Sequence, residues 1–397
     1  LCGQIEDDLL APEPASGAGG QVRHLSAAMT LTDKPNASGN LWQLSPEDRQ
    51  SNAPLKGDVS TDVVIIGGGY TGLSAALHIA QKGRTVCVLE AKTVGHGGSG
   101  RNVGYVNAGL WMPPDEVEKH LGGETGAKLN ALLAEGPDLV FGLIEEHQIR
   151  CDAVKQATLH CAASKRGVRD LRNRYDQQIA RGAPVRLLDK SETEIRTGSA
   201  ALFGALLDPR AGTIQPLAYA QGLARAASDA GARIFENTAA ASVRREGSDW
   251  VVTTAKGRVR AQKLIQATNA YGTSGIPMND VVPVYYFQMA TKPLSEAQRS
   301  EILPGLEGCW DTAMVMSSFR LDADGRLLIG GVGNLEGPGR GIHRSWARRK
   351  LAALFPQLAG LEFDYEWCGR IGMTSDHLPK VADLGPSAIS IFGYSGR

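Results

Sequence analysis

No CxxC pair occurs among the six cysteines, at positions 2, 87, 151, 161, 309 and 368. Thiols so scattered argue against a zinc ribbon and a disulfide framework, and they fit a reducing compartment. The eight histidines lack HxxxH and HExxH spacing, so the metallohydrolase signatures are missing too. Charge of one sign does not dominate. Lys plus Arg and Asp plus Glu are 42 each, and no global field favours nucleic acid or an acidic membrane. The most basic stretch, 164–181, carries Asp170 and Asp176 among its bases and reads as a solvated helix face. No apolar run has the length of a membrane-spanning helix. The first residues, LCGQIEDDLLAPEPASGAGG, hold acids where a signal peptide holds bases. These absences together suggest a soluble, cytoplasmic chain, long enough for about two to three domains' worth of structure.

Glycine, by contrast, is abundant at 48 residues, and its placement is informative. In TDVVIIGGGYTGLSAALHIAQKGRTVCVLEA, residues 62–66 form a β-branched run that reads as a strand buried on both faces. Gly67, Gly69 and Gly72 then make G-x-G-x-x-G where that strand must end. Leu73, Ala76, Leu77 and Ala80 follow at helical spacing, Gly83 stops the helix, and 85–89 is a second apolar strand ending in Glu90. Gly67 permits the tight turn, Gly69 admits a pyrophosphate close to the backbone, and Gly72 lets helix and strand pack closely. The helix N-terminus offers N–H groups and a positive dipole end to the phosphates. A carboxylate at Glu90 can accept from both ribose hydroxyls and repels a 2′-phosphate, which argues against NADP. The motif alone leaves FAD and NAD open.

A second glycine cluster follows in AKTVGHGGSGRNVGYVNAGLW, with Ser99, Arg101 and Asn102 among its glycines. So many glycines let backbone pass close to something large and flat, with polar side chains available to an anion. The segments GGGYTGLSAALHIA, LEA and GHGGSGRNVGYVNAG resemble the flavin-binding segments of the D-amino-acid oxidase superfamily, and within it the γ-glutamylputrescine oxidase branch. The likeness continues through 204–238, 263–272, 319–331 and 365–385, and covers about residue 40 to the end. One departure is Gly98, where the branch carries Ala.

The resemblance implies an α/β (α+β overall) fold, a Rossmann-like FAD-binding domain interleaved with an antiparallel-sheet substrate domain. Residues 59–110, 205–272 and 366–397 are expected in the first, 111–204 and 273–365 in the second, and 1–58 in an extended N-terminal arm. Non-covalent FAD is implied, held by Gly67, Gly69, Tyr70, Thr71, Gly72, Glu90, Ala91 and Lys92. His96, Ser99, Gly100, Arg101, Asn102 and Gly104 would line the pyrophosphate and ring. Ala240, Ala267, Thr268, Asn269, Gly369, Gly393, Ser395, Gly396 and Arg397 complete the expected cofactor set. A covalent bond from His96 or Cys368 is the less favoured version. No metal is expected. The reaction implied is oxidation of an amine C–N bond, with a small-molecule amine as substrate and O2 or another acceptor taking the electrons. A glycine, sarcosine or D-amino-acid substrate is the alternative, and an NAD-dependent dehydrogenase or an inactive fragment are the rival classes.

On the substrate side, Tyr285, Tyr286 and Gln288 are expected on a strand facing the flavin, where alternation lets only one of the two tyrosines point into the site. Arg320 is a candidate for binding a substrate carboxylate. Both ends of the chain carry an expectation of their own. Met29 opens a plausible start, and 1–28 are expected to lie outside the native coding sequence. The closing IFGYSGR resembles the last flavin-binding turn of the family, with a helix due after Arg397. A chain ending there is expected to hold FAD more weakly than an extended one.

Overall fold

The computed structural model describes residues 39–44, 50–272 and 280–396. Two large sheets organise them. In the first, the order is Lys380–Gly385, Ala388–Phe392, Gly257–Gln266, Val59–Ile66, Val86–Leu89, Arg233–Phe235. All neighbours run parallel except the first pair. The strands Ser242–Glu246 and Asp249–Thr254 add an antiparallel flap against the start of Gly257–Gln266.

Alternation explains why Val63–Ile66, the second half of the strand Val59–Ile66, reads as a continuous apolar run. Val63 and Ile65 join a core with the helices Tyr70–Gln81 and Pro216–Asp229, while Val64 and Ile66 pack below with Val252, Val259 and Leu264. A strand covered on both faces has no position left for a polar side chain. Pro216 occupies the first turn of its helix, where its missing N–H costs nothing.

The second sheet has the order Phe363–Met373, Val282–Pro293, Arg326–Val332, Ser317–Leu321, Gly308–Asp311, Thr158–Cys161, Ala205–Asp208, Arg186–Leu188. Only the pair Gly308–Asp311 with Thr158–Cys161 is parallel. One face carries Phe287, Met289, Phe319 and Ile329 and packs against Ala347, Leu351 and Leu354 of the helix Arg340–Leu354. Across the other face runs a row in register: Trp367, Gln288, Gly330, Ser318, Trp310, His160, Leu206. That polar and aromatic row meets the glycine loop after Val86–Leu89.

The chain crosses between sheets at points other than those expected. Ala205–Asp208 pairs with Thr158–Cys161, so the start of 205–272 belongs to the second sheet. Phe363–Met373 is likewise an edge of the second sheet, which takes in the start of 366–397. Neither strand's own residues name its partners, and only distant partners decide which sheet each joins. The arm differs too. Leu41 and Trp42 are buried, and the short turn Leu41–Leu44 packs beside Trp367. Residues 1–28, and the start proposed at Met29, lie outside the described residues. Among the described residues no helix is long and apolar enough to cross a membrane.

Candidate active site

The G-x-G-x-x-G turn sits at the carboxyl ends of the parallel strands, where open α/β sheets bind ligands. Gly67 has φ +112°, and a Cβ there would lie 2.6 Å from the Ala267 carbonyl oxygen. A Cβ on Gly72 would lie 2.0 Å from the Gly67 oxygen, so helix and strand meet at backbone distance. Gly69 caps the helix Tyr70–Gln81 with no side-chain hydrogen bond, leaving first-turn N–H groups for an external anion. Among the described residues the Tyr70 N–H alone is claimed by a side chain, the Ser99 Oγ at 3.0 Å.

Glu90 ends its strand as expected, and both carboxylate oxygens accept backbone N–H groups. These come from Gly68 to Oε2 at 2.7 Å and from Lys92 to Oε1 at 2.8 Å. Each oxygen keeps a lone pair for a hydroxyl donor. Burial pushes its carboxyl up, against the pull of those two N–H groups, and Glu236 pushes the same way. Ala91 and Lys92 are exposed beside it. Ala240 packs under the first sheet.

The loop carrying Ser99 is held by its own polar side chains. Asn102 Nδ2 donates to the Gly98 and Ser99 carbonyls at 3.1 and 2.9 Å, and its Oδ1 accepts the Gly104 N–H at 2.7 Å. Arg101 donates to the His96 and Cys368 carbonyls at 2.8 and 3.2 Å. These two residues, expected as anion contacts, spend these atoms shaping the loop and tying it to the second sheet. Two of the missed residues lie in the arm. Asn40 donates to the Gly100 carbonyl at 2.7 Å and Trp42 Nε1 to the Asn102 carbonyl at 3.0 Å. The Leu-Trp pair inside an otherwise polar arm was the available signal.

A third wall comes from the end of Gly257–Gln266 and from the closing turn. Ala267 donates to the Ile66 carbonyl at 2.8 Å, and the Thr268 carbonyl accepts from Tyr271 at 2.9 Å. Asn269, at φ +43°, accepts the Gly393 N–H on Oδ1 at 3.0 Å. Gly393, Ser395 and Gly396 all have positive φ, and Tyr394 Oη meets Thr71 Oγ1 of the helix Tyr70–Gln81 at 2.6 Å. Segments more than 100 residues apart thus converge on one place. Arg397 lies outside the described residues. At the strand end Gln266 is buried, and neither amide atom finds a partner among the described residues. Glycines that a Cβ would fill, free helix N–H groups, a ribose-ready carboxylate and an orphaned amide fit a dinucleotide.

On the second sheet, Tyr286 and Gln288 share the face toward the loop. Tyr286 Oη donates to Ser318 Oγ at 3.0 Å, and Gln288 Nε2 does so at 3.3 Å. Gln288 Oε1 is buried without a partner among the described residues. Burial pushes the Tyr286 phenol up, so it stays a neutral donor. Tyr285 takes the opposite face, opposite Arg370 in register and packed against the Phe287 core, because side chains alternate along the strand. Gly369 lies opposite Tyr286, and a Cβ there would lie 3.1 Å from Arg101 Cβ.

Arg320 is 2% exposed and sits 5.4 Å from the Trp42 ring. Its Nη1 donates to the Gly104 and Ile214 carbonyls at 3.2 and 3.0 Å, and its Nε is unpaired among the described residues. Burial lowers its pKa. His96 lines a cleft of about 210 Å³ with Thr93, Gln221 and the buried Glu236, between the arm and the helix Pro216–Asp229. Burial, then Arg101 and Lys92, hold its imidazole below the usual range. Glu236, another residue the sequence did not single out, accepts the Val94 and Asn52 N–H groups at 2.6 and 3.1 Å. Cys368 is buried, and its thiol, pushed up by burial, lies 3.7 Å from Asn334 Oδ1.

Comparison with known proteins agrees with this arrangement. The profile of the DAO family, described as FAD dependent oxidoreductase, matches residues 62–397. The Escherichia coli (strain K12) gamma-glutamylputrescine oxidoreductase is 34% identical over 86% of this chain and 81% of its own. The probable oxidoreductase OrdL of Rhizobium meliloti (strain 1021) is also 34% identical, over 91% of this chain and 85% of its own. The crystal structure of glycine oxidase from Geobacillus kaustophilus shares the fold at a TM-score of 0.70, with 22% identity, over 85% of this chain and 90% of that one.

Proposed function

Because the chain belongs to the DAO family of FAD-dependent oxidoreductases, we propose that it oxidises the C–N bond of a small amine of the γ-glutamylputrescine type. The C–N single bond of the terminal primary amine becomes an imine, and water hydrolyses the imine to an aldehyde and ammonia. FAD, when bound, supplies the two-electron acceptor for hydride leaving the carbon beside the nitrogen. O2 or another acceptor then takes the electrons.

The residues divide the work. Glu90 would hold the ribose hydroxyls, and the first-turn N–H groups after Gly69 the pyrophosphate. Asn269 and the Gly393–Ser395–Gly396 turn would border the ring end, with Ser99 and Asn102 keeping the loop in shape. Tyr286 and Gln288 would orient the amine, Gln288 Oε1 being a buried acceptor ready for an N–H donor. The buried charge of Arg320 disfavours a second positive charge nearby and so favours the neutral amine that hydride transfer needs. The observation that carries this reading is the polar row through Gln288 and Ser318, laid in register over the glycine loop. It is supported by the 34% identity to a relative named for γ-glutamylputrescine. A small α-amino acid would need a guanidinium turned to its carboxylate, whereas Arg320 gives Nη1 to two main-chain carbonyls.

Product analysis tests the proposal. The FAD-loaded chain incubated with γ-glutamylputrescine in air should yield a trappable aldehyde. If glycine, sarcosine or D-amino acids are consumed and this amine is not, the substrate assignment is wrong and the flavoenzyme class stands.

A further inference from the structure

Beyond the flavin loop, the second sheet and the helix Lys165–Ala180 enclose a small polar cleft that the redox chemistry does not use. Thr158, His160, Leu206 and Trp310 come from one face of the sheet, and Arg174 and Gln178 from one face of the helix, four residues apart. Asn107 closes the near side, with its Oδ1 accepting from Thr158 Oγ1 at 2.9 Å. The cavity measures about 30 Å³, more than the roughly 10–15 Å³ one water needs.

Two unspent groups face into it. No hydrogen-bond or ion-pair partner reaches the Arg174 guanidinium among the described residues, although Glu116 and Asp170 lie near enough to be felt. Gln178 Oε1 is buried without a partner. Asp208 also lines the cleft, but Arg210 holds it bidentately at 2.9 and 2.6 Å. His160 stacks on Trp310 with ring centroids 5.1 Å apart and 25° between planes, making a flat wall. Trp310 in turn lies 5.7 Å from the ring of Tyr105, which follows Gly104 of the flavin loop.

We infer that this cleft is a recognition subsite for the distal end of the amine substrate, an amino-acid-type end with its carboxylate on Arg174 and its ammonium on Gln178 Oε1. The inference rests on the amine reading above and adds to it which part of the substrate is recognised. Geometry agrees with an elongated substrate. Trp310 is three strands from Gln288, roughly 14 Å at about 4.8 Å per strand, so an extended chain would cross Tyr105 between the two ends. The aromatic wall suits methylenes or a planar amide along that path.

The test compares γ-glutamylputrescine with putrescine, which lacks the distal carboxylate, on the FAD-loaded chain. Arg174→Gln should raise KM for γ-glutamylputrescine at least tenfold with kcat within twofold, leave KM for putrescine within twofold, and be partly rescued by Arg174→Lys. An equal effect on both amines, or on neither, overturns the subsite. If the wild-type chain oxidises neither amine, the amine reading fails, and calorimetry with L-glutamate decides the subsite alone. Wild-type binding that Arg174→Gln weakens at least tenfold supports it; no binding, or equal binding, overturns it. Gln178→Leu keeps the cation and should weaken L-glutamate but not glutarate, and an equal loss of both refutes the ammonium contact.

Discussion

Replacing Gly72 by Ala is the sharpest structural test of the nucleotide turn. In an ordinary helix interior the change stabilises by up to about 1 kcal/mol. Gly142, in the helix Gly136–Glu146 with nothing within 4 Å of a built Cβ, should show that gain. At Gly72 the new methyl would lie 2.0 Å from the Gly67 carbonyl oxygen and 3.2 Å from Ile65 Cγ2. The Gly67 carbonyl must retreat by about 1 Å, and forced overpacking of this kind typically costs about 1–3 kcal/mol. Net destabilisation of about 1–2 kcal/mol is expected despite the propensity gain. The same shift moves the turn proposed to present N–H groups to the pyrophosphate, so FAD should bind at least tenfold more weakly, about 1.4 kcal/mol. Urea unfolding of the apo chain and equilibrium titration with FAD measure both effects, with Gly142→Ala alongside. If Gly72→Ala gains stability like Gly142→Ala and keeps FAD, the close helix–strand approach does not shape the site.

Other expectations follow from single contacts. Ser99→Ala removes the acceptor of the Tyr70 N–H and should weaken FAD binding about fivefold, for a hydrogen bond worth about 1 kcal/mol, by fluorescence titration. Arg320→Met withdraws a charged donor from the Gly104 and Ile214 carbonyls and should lower unfolding stability by about 2–3 kcal/mol, seen as a lower urea midpoint. His96 has a depressed pKa in the folded chain, so below about pH 6.5 the unfolded chain takes up a proton that the folded chain refuses. Its contribution is present above that pH and lost on acidification. His96→Asn should therefore show a smaller fall in urea midpoint between pH 7 and 5.5 than the wild type, and an unchanged fall would refute the assignment.

What was legible in the sequence was local. Strand, glycine turn, helix and Glu90 follow one another within 30 residues, and each is dictated by near neighbours: alternation for Val63–Ile66, a positive φ at Gly67, helical spacing from Leu73 to Ala80. The polar residues of the second glycine loop were legible by type, but their bonds were not. Nothing near Arg101 in the chain says that its guanidinium meets the Cys368 carbonyl, 267 residues away. The choice between Tyr285 and Tyr286 likewise needed the partner strands, because alternation separates the two faces without saying which one meets the loop. Trp42 and Glu236 were missed for the same reason. Their roles lie in main-chain contacts with the loop after Glu90, which no spacing within their own segments announces.

The central claim is that the glycine cradle and the Gln288–Ser318 row form one amine-oxidising site. Anaerobic mixing of the FAD-loaded chain with amines, followed at the visible flavin band, tests it most directly. The account predicts that γ-glutamylputrescine bleaches the band and that Gln288→Leu slows the bleaching without loss of bound flavin. A band that no amine bleaches, or that glycine or D-amino acids alone bleach, would contradict it.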